Sequence, residues 1–128
     1  MQKAIKIVGW VFSVMAAAIF LMGSWVQLNF DPAASSGGPI SYPVWFHTLI
    51  GVGFLVATIL HLIPRTAFAL FGAILMSAFF GGIIGTHLLL DDGQWVSRML
   101  MGLLPWFGLY LRDPAFNNLM SFWRTGDA

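Results

Sequence analysis

The sequence predicts an all-α integral membrane protein, a four-helix bundle followed by a short amphipathic helix at the membrane surface. Hydrophobic residues make up 59% of the chain and charged residues only 9%, whereas soluble domains carry about 25% charged residues. Four apolar stretches approach the roughly 20 residues that a helix needs to cross the hydrocarbon core. The length of 128 residues predicts a single domain, residues 1–128.

The composition also excludes several classes of protein. Six Lys and Arg against five Asp and Glu leave a net charge of +1, so no basic field attracts the phosphates of a nucleic acid. The chain has no cysteine, which rules out disulfides, thiolate nucleophiles and cysteine zinc sites. We therefore expect a lipid bilayer as the surroundings, no nucleic-acid partner and no metal site.

The first span is predicted at residues 5–28, after Lys3 and Lys6. A secretory signal peptide is the alternative, but the apolar run is long for one, so we expect a retained helix. Residues 31–42 contain two Pro, two Gly and three Ser, which predicts a loop. The second span follows at residues 43–63, with Pro43 in its first turn.

The third and fourth spans are separated by the turn Asp91-Asp92-Gly93. The third, residues 66–90, is uncharged throughout. The fourth, residues 94–111, is the weakest, because Arg98 interrupts it and Pro105 predicts a kink; a re-entrant segment is the alternative. In the tail, residues 114–124, Asp113 suits a helix cap and apolar residues recur at helical spacing, which predicts an interfacial helix.

The distribution of basic residues predicts the orientation of the four spans. Five of the six lie on the side that holds both termini, and only Arg98 lies on the other. This asymmetry is the positive-inside signal, so we expect both termini in the cytoplasm of a bacterial-type inner membrane. The five are Lys3, Lys6, Arg65, Arg112 and Arg124.

A repeat of small residues every four positions runs along the third span. Ala73, Ser77, Gly81 and Gly85 form this small-residue ridge, which lets another helix approach closely. Packing inside the chain is the simpler interpretation, and docking of another subunit or a pigment is the alternative.

Polar residues at membrane depth are costly, so each is a candidate site. Helix arithmetic places His47 and His87 at similar depth near the outer ends of neighbouring spans, about 6 Å apart in depth. Such a pair suits haem or a quinone oxygen, and hydrogen bonds to carbonyls or to Asp91 and Asp92 are the alternative. His61 lies near the inner end of its span, where we expect a polar helix-end residue.

Further side chains near the outer ends complete a predicted outer-face contact cluster. We expect Arg98 to snorkel or to pair with Asp91 or Asp92. No arrangement of nucleophile, base and acid can be assembled, so no catalytic residue is predicted. The members of the cluster besides the two histidines are Trp45, Asp91, Asp92, Trp95 and Arg98.

The order of motifs around the third span resembles the DoxX-like family of small four-helix membrane proteins. Leu62-Ile63-Pro64-Arg65-Thr66 leads into Gly72-Ala73, Met76, Gly81-Gly82 and Thr86-His87. The resemblance covers residues 43–111 and implies a four-helix inner-membrane bundle. The family takes its name from a subunit of a thiosulfate–quinone oxidoreductase. Many relatives carry an acidic residue inside the second helix, and residues 50–63 have none.

Three functions remain open from the sequence, and the least supported is a small transporter or channel, because four short spans without intramembrane charge offer little pathway. The first is a non-catalytic membrane subunit that packs against other subunits of an electron-transfer or energy-converting complex, supported by the small-residue ridge and the lack of catalytic groups. The second is a DoxX-like redox subunit that binds quinone or haem near His47 and His87.

Overall fold

A computed structural model describes the backbone of residues 1–33 and 42–125, with side chains to residue 120. Within these ranges the chain is all-α, as predicted, and contains no strand. Most of the predicted loop at residues 31–42 lies outside the described residues, as does the side chain of Arg124. The helices are α1 (Gln2–Leu28), α2 (Val44–Leu62), α3 (Thr66–Leu90), α4 (Trp95–Arg112) and α5 (Pro114–Thr125).

The helix bounds agree with the predicted spans to within three residues at either end. By length and apolar composition, α1, α2 and α3 are long and apolar enough to cross a membrane. The 18-residue α4 does not reach that standard, because Arg98 and Arg112 interrupt its apolar character. The fourth membrane span therefore stays a prediction, although α4 continues as one helix through the buried Pro105.

The four long helices form a closed ring of pairwise contacts between antiparallel neighbours. α1 packs against α2 and α4, and α3 packs against the same two helices. α5 rests on α4 and buries Phe116. We call the end where α2 ends and α3 begins the inner end, and the opposite end the outer end, after the predicted orientation.

Helices at the inner end approach one another at backbone distance. A Cβ atom added to Gly72 would collide with the backbone of His61, and one added to Gly108 would collide with Ser13. Only glycine permits these approaches, because any side chain would push the helices apart.

The centre and outer half of the ring pack through rings and larger side chains instead. Phe20 on α1 contacts Phe54 on α2, with ring centroids 4.8 Å apart, and Phe80 on α3, at 5.1 Å. Fully or nearly fully buried Ala57 and Met76 complete this core. Such edge-to-face and tilted ring pairs are favourable because the ring edges are positive and the faces negative.

Two helix ends follow their predicted chemistry. Asp113 Oδ1 accepts the backbone N–H groups of Ala115 and Phe116 at 3.0 and 3.2 Å, so it caps α5 as expected. α3 ends at Leu90, and the residue that caps it, Asp91, has a left-handed backbone with φ 50°. The chain then turns through Gly93, at φ 70°, a conformation that glycine adopts without steric cost.

Candidate functional site: an apolar cavity at the outer end

A cavity of about 800 Å³ lies at the outer end, between α1, α2 and α3. Its walls are mainly apolar, and its polar lining comes from six side chains. Most residues in the outer half of α4 are exposed, and Arg98 reaches the cavity from this half. The apolar walls include Phe20, Phe46, Phe54, Phe79, Ile83 and Met22, and the polar residues are Gln27, Tyr42, His47, Thr86, His87 and Arg98.

His47 enters the cavity from the first turns of α2 and is fixed on two sides. Its Nδ1 lies 2.6 Å from Gln27 Oε1 on α1, and its ring stacks on Phe30 with centroids 3.7 Å apart. Because an amide oxygen only accepts hydrogen bonds, Nδ1 carries the proton in this arrangement. In the neutral ring Nε2 is then an acceptor, and it has no partner among the described residues.

His87 is held in the same way by a carboxylate. Its Nδ1 lies 2.6 Å from Asp92 Oδ2, and Asp92 Oδ1 accepts the backbone N–H of Gln94 at 2.9 Å. The Gln94 amide, and after it the His87 ring, lower the pKa of Asp92 below its ordinary value. A carboxylate on Nδ1 fixes the tautomer of the neutral imidazole. In that form Nε2 of His87 is again an acceptor without a described partner, whereas in the charged ring it is a donor.

Arg98 supplies a donor to the same cavity. Its Nη2 donates to Gln94 Oε1 at 3.2 Å, and its buried Nε has no acceptor among the described residues. The expected hydrogen-bonded pair with Asp91 or Asp92 is not formed. Gln94 lies one helical turn away on the same face of α4, and both Asp92 oxygens already accept other donors.

The predicted outer-face contact cluster divides in the structure. His47, His87 and Arg98 line one cavity, and Asp92 acts on it through His87. Trp45, Asp91 and Trp95 are exposed and do not line it. Gln27 is the residue that sequence reasoning missed, and its amide within an otherwise apolar span was the available signal.

The small-residue ridge is also divided. Ala73 is fully buried, and Ser77 Oγ accepts the indole N–H of Trp106 on α4 at 2.6 Å. A Cβ atom added to Gly81 or Gly85 would meet nothing within 4 Å. Within this chain, close packing therefore involves the inner half of the ridge, and its outer half faces open space.

At the inner end, His61 is a core residue rather than a polar helix end. It is fully buried, and its Nδ1 donates to the carbonyl of Ala69 at 3.3 Å. Arg112 donates through Nη2 to the His61 carbonyl and lies 4.2 Å over the ring of Trp10. The bond between Arg112 and His61 joins residues 51 positions apart, which the local sequence does not reveal.

No family model, curated protein or solved structure matches this chain. The resemblance to the DoxX-like family therefore stays a prediction from its motifs. The chemical content of the site comes from its own geometry: apolar walls, two imidazole acceptors and a guanidinium donor. Such a site suits an apolar ring that bears hydroxyl or carbonyl oxygens.

Proposed function

We propose that this protein is a multi-pass inner-membrane protein that binds the head group of a quinol or quinone in the outer cavity. The observation that carries the proposal is the pair of histidines on one cavity, each held through Nδ1 so that Nε2 is left to a ligand. In this proposal α1 to α4 form a transmembrane four-helix bundle with cytoplasmic termini. The positive-inside asymmetry and the apolar helices support that orientation.

The acceptors of the cavity match the reduced form of such a ligand. A quinol offers two hydroxyl donors on one aromatic ring, and His47 and His87 offer two Nε2 acceptors. The guanidinium of Arg98, which also lines the cavity, suits a carbonyl oxygen, which is the group present in the oxidised form. The phenylalanines of the wall suit stacking against the ring and contact with an apolar tail.

Binding of a short-chain quinol to the purified protein in detergent tests the proposal. His47→Leu and His87→Leu each remove one acceptor, and we expect each to weaken binding about fivefold, the effect of losing roughly 1 kcal/mol of hydrogen bonding. Leu89→Ala is the matched control, because Leu89 is 81% exposed and lies two residues from His87. No binding by the wild type, or equal weakening in the control, contradicts the proposal.

Haem is the ligand that the same two nitrogens would hold by coordination instead. The absorption spectrum of the purified protein separates the two ligands, because haem has an intense Soret band and a quinol has none. A Soret band that disappears in both histidine variants would show that the cavity binds haem and not a quinol.

A second candidate function is a non-catalytic subunit of a larger electron-transfer or energy-converting membrane complex. The open space beside Gly81 and Gly85 favours it, since small residues without intramolecular neighbours permit close approach of a helix from another subunit. Gly81→Leu tests it. This variant should keep the stability of the isolated protein and lose any partner that co-purifies with the wild type, whereas an unchanged set of partners contradicts the docking role.

A further inference from the structure

A second cavity, of about 270 Å³, lies at the inner end, between the start of α1, the turn from α2 to α3 and the junction of α4 and α5. It is separate from the outer cavity and shares none of its lining residues. Its polar and aromatic lining comes from Lys6, Trp10, Arg65, Thr66, Arg112 and Asp113.

The lining is strongly cationic for so small a space. Three of the six Lys and Arg of the chain line it, against one carboxylate. That carboxylate, on Asp113, is already engaged, because its Oδ1 caps the first turn of α5. The lining therefore has an excess of two positive charges, which favours an anion.

Arg112 is the most constrained of the three cations. Arg112 is only 8% exposed, its Nη2 donates to the His61 carbonyl, and its guanidinium lies over the ring of Trp10. Its buried Nη1 has no acceptor among the described residues. Nη1 has almost no accessible surface, so it is not itself a contact for a ligand. A charged guanidinium that is largely removed from water is costly, and an anion in the adjoining cavity offsets its charge.

The start of α3 adds a further attraction at the same place. Arg65 is the N-cap residue and makes no side-chain cap hydrogen bond, and the first turn of this 25-residue helix has no acidic residue. The first backbone N–H groups of a helix have no partner inside it and carry partial positive charge. They form a common site for phosphate oxygens, and Thr66 adds a hydroxyl there.

We propose that the inner cavity binds a phosphate group. Arginine presents several N–H donors in a planar fork that matches phosphate oxygens, and Lys6 adds a point charge. Two sources share this chemistry: the head group of an anionic phospholipid and a soluble phosphate. Trp10 in the cavity wall and the amphipathic α5, which begins there at Pro114, suit a lipid glycerol phosphate at the membrane surface.

The experiment has two arms, which identify the source. In the first, native mass spectrometry counts phosphatidylglycerol retained by the protein relative to phosphatidylcholine. In the second, the melting temperature of lipid-free protein in neutral detergent is measured with and without inorganic phosphate. Lys6→Gln and Arg65→Gln each remove one cation, and Lys3→Gln is the matched control, because Lys3 is exposed and does not line the cavity.

Removal of one cation should weaken phosphate binding about fivefold, the scale of a single Lys or Arg beside anionic lipid. Selective phosphatidylglycerol retention that falls in both cavity variants but not in Lys3→Gln supports the proposal with lipid as the source. A rise in melting temperature on addition of phosphate, smaller in both cavity variants but not in Lys3→Gln, supports the proposal with soluble phosphate as the source. The absence of both responses overturns the proposal, and so does an equal loss in Lys3→Gln. If Arg65→Gln fails to fold, the result with Lys6→Gln decides.

Discussion

Glycines at the two ends of the helix ring serve opposite purposes. At the inner end, Gly72 and Gly108 lie against the backbone or side chain of another helix, so that no side chain fits. At the outer end, Gly81, Gly82 and Gly85 have no neighbour within 4 Å of an added Cβ atom. Along α3, glycine thus permits a close contact with α2 at the inner end and leaves space at the outer end, whereas on α2 the buried Gly51 is in close contact with Leu28.

The polar residues at the two ends differ in their surroundings. At the inner end, His61 and Arg112 are buried, Arg112 Nη2 donates to the His61 carbonyl, and Nε2 of His61 is buried without a partner among the described residues. At the outer end, His47 and His87 line a cavity of about 800 Å³, and the Nδ1 atom of each is held by a neighbouring side chain. Buried polar groups and close glycine contacts therefore hold the helices together at the inner end, whereas the larger of the two cavities lies at the outer end.

The largest expected effect is on the inner contact. Gly72→Ala should lower the free energy of unfolding by about 1–3 kcal/mol, because the new methyl group meets the backbone of α2 rather than a movable side chain. Gly85→Ala is its counterpart in the open half of the same helix. It should be neutral or stabilise by up to about 1 kcal/mol through helix propensity, and thermal unfolding in detergent measures both. Equal effects in the two variants would show that the ends do not differ in packing.

A smaller effect is expected at the middle of the ring, where Trp106 donates to Ser77. Ser77→Ala leaves the indole N–H without that acceptor and should cost about 1 kcal/mol. Ser97→Ala is the control, because Ser97 is exposed and bonds only within its own helix turn. A melting temperature that is the same in both variants would show that this bond contributes nothing measurable.

The smallest effect is a pH dependence at the outer end. The pKa of Asp92 is lowered from its ordinary 3.8 in the folded protein. Its stabilising contribution is therefore present above pH 3.8 and is lost as the pH falls through the lower folded value. The melting temperature should therefore fall less below pH 3.8 in Asp92→Asn than in the wild type. High salt should make the two proteins more alike, because the carboxylate is exposed and its charge is screened. An acid decline of equal size in both proteins would contradict this role of Asp92.

Much of the fold could be predicted because its signals are local. Uncharged runs and the Pro-Arg and Asp-Asp-Gly turns gave helix bounds within three residues, and helix arithmetic placed His47 and His87 at one end. The cavity between them could not be predicted, because it depends on how four separate phenylalanines meet across three helices. The burial of His61 could not be predicted either, since its partner Arg112 is 51 residues away.

If a quinol binds as proposed, the outer cavity, and not merely the outer face, holds it. Gly82 lines that cavity and Gly81 does not, yet an added Cβ atom meets nothing at either position. The test is to measure quinol binding by Gly82→Leu and Gly81→Leu. Both variants are first checked for a melting temperature at or above that of the wild type. We expect Gly82→Leu to bind at least about tenfold more weakly, a loss of about 1.4 kcal/mol, and Gly81→Leu to bind as the wild type does. Wild-type binding by Gly82→Leu would contradict the account.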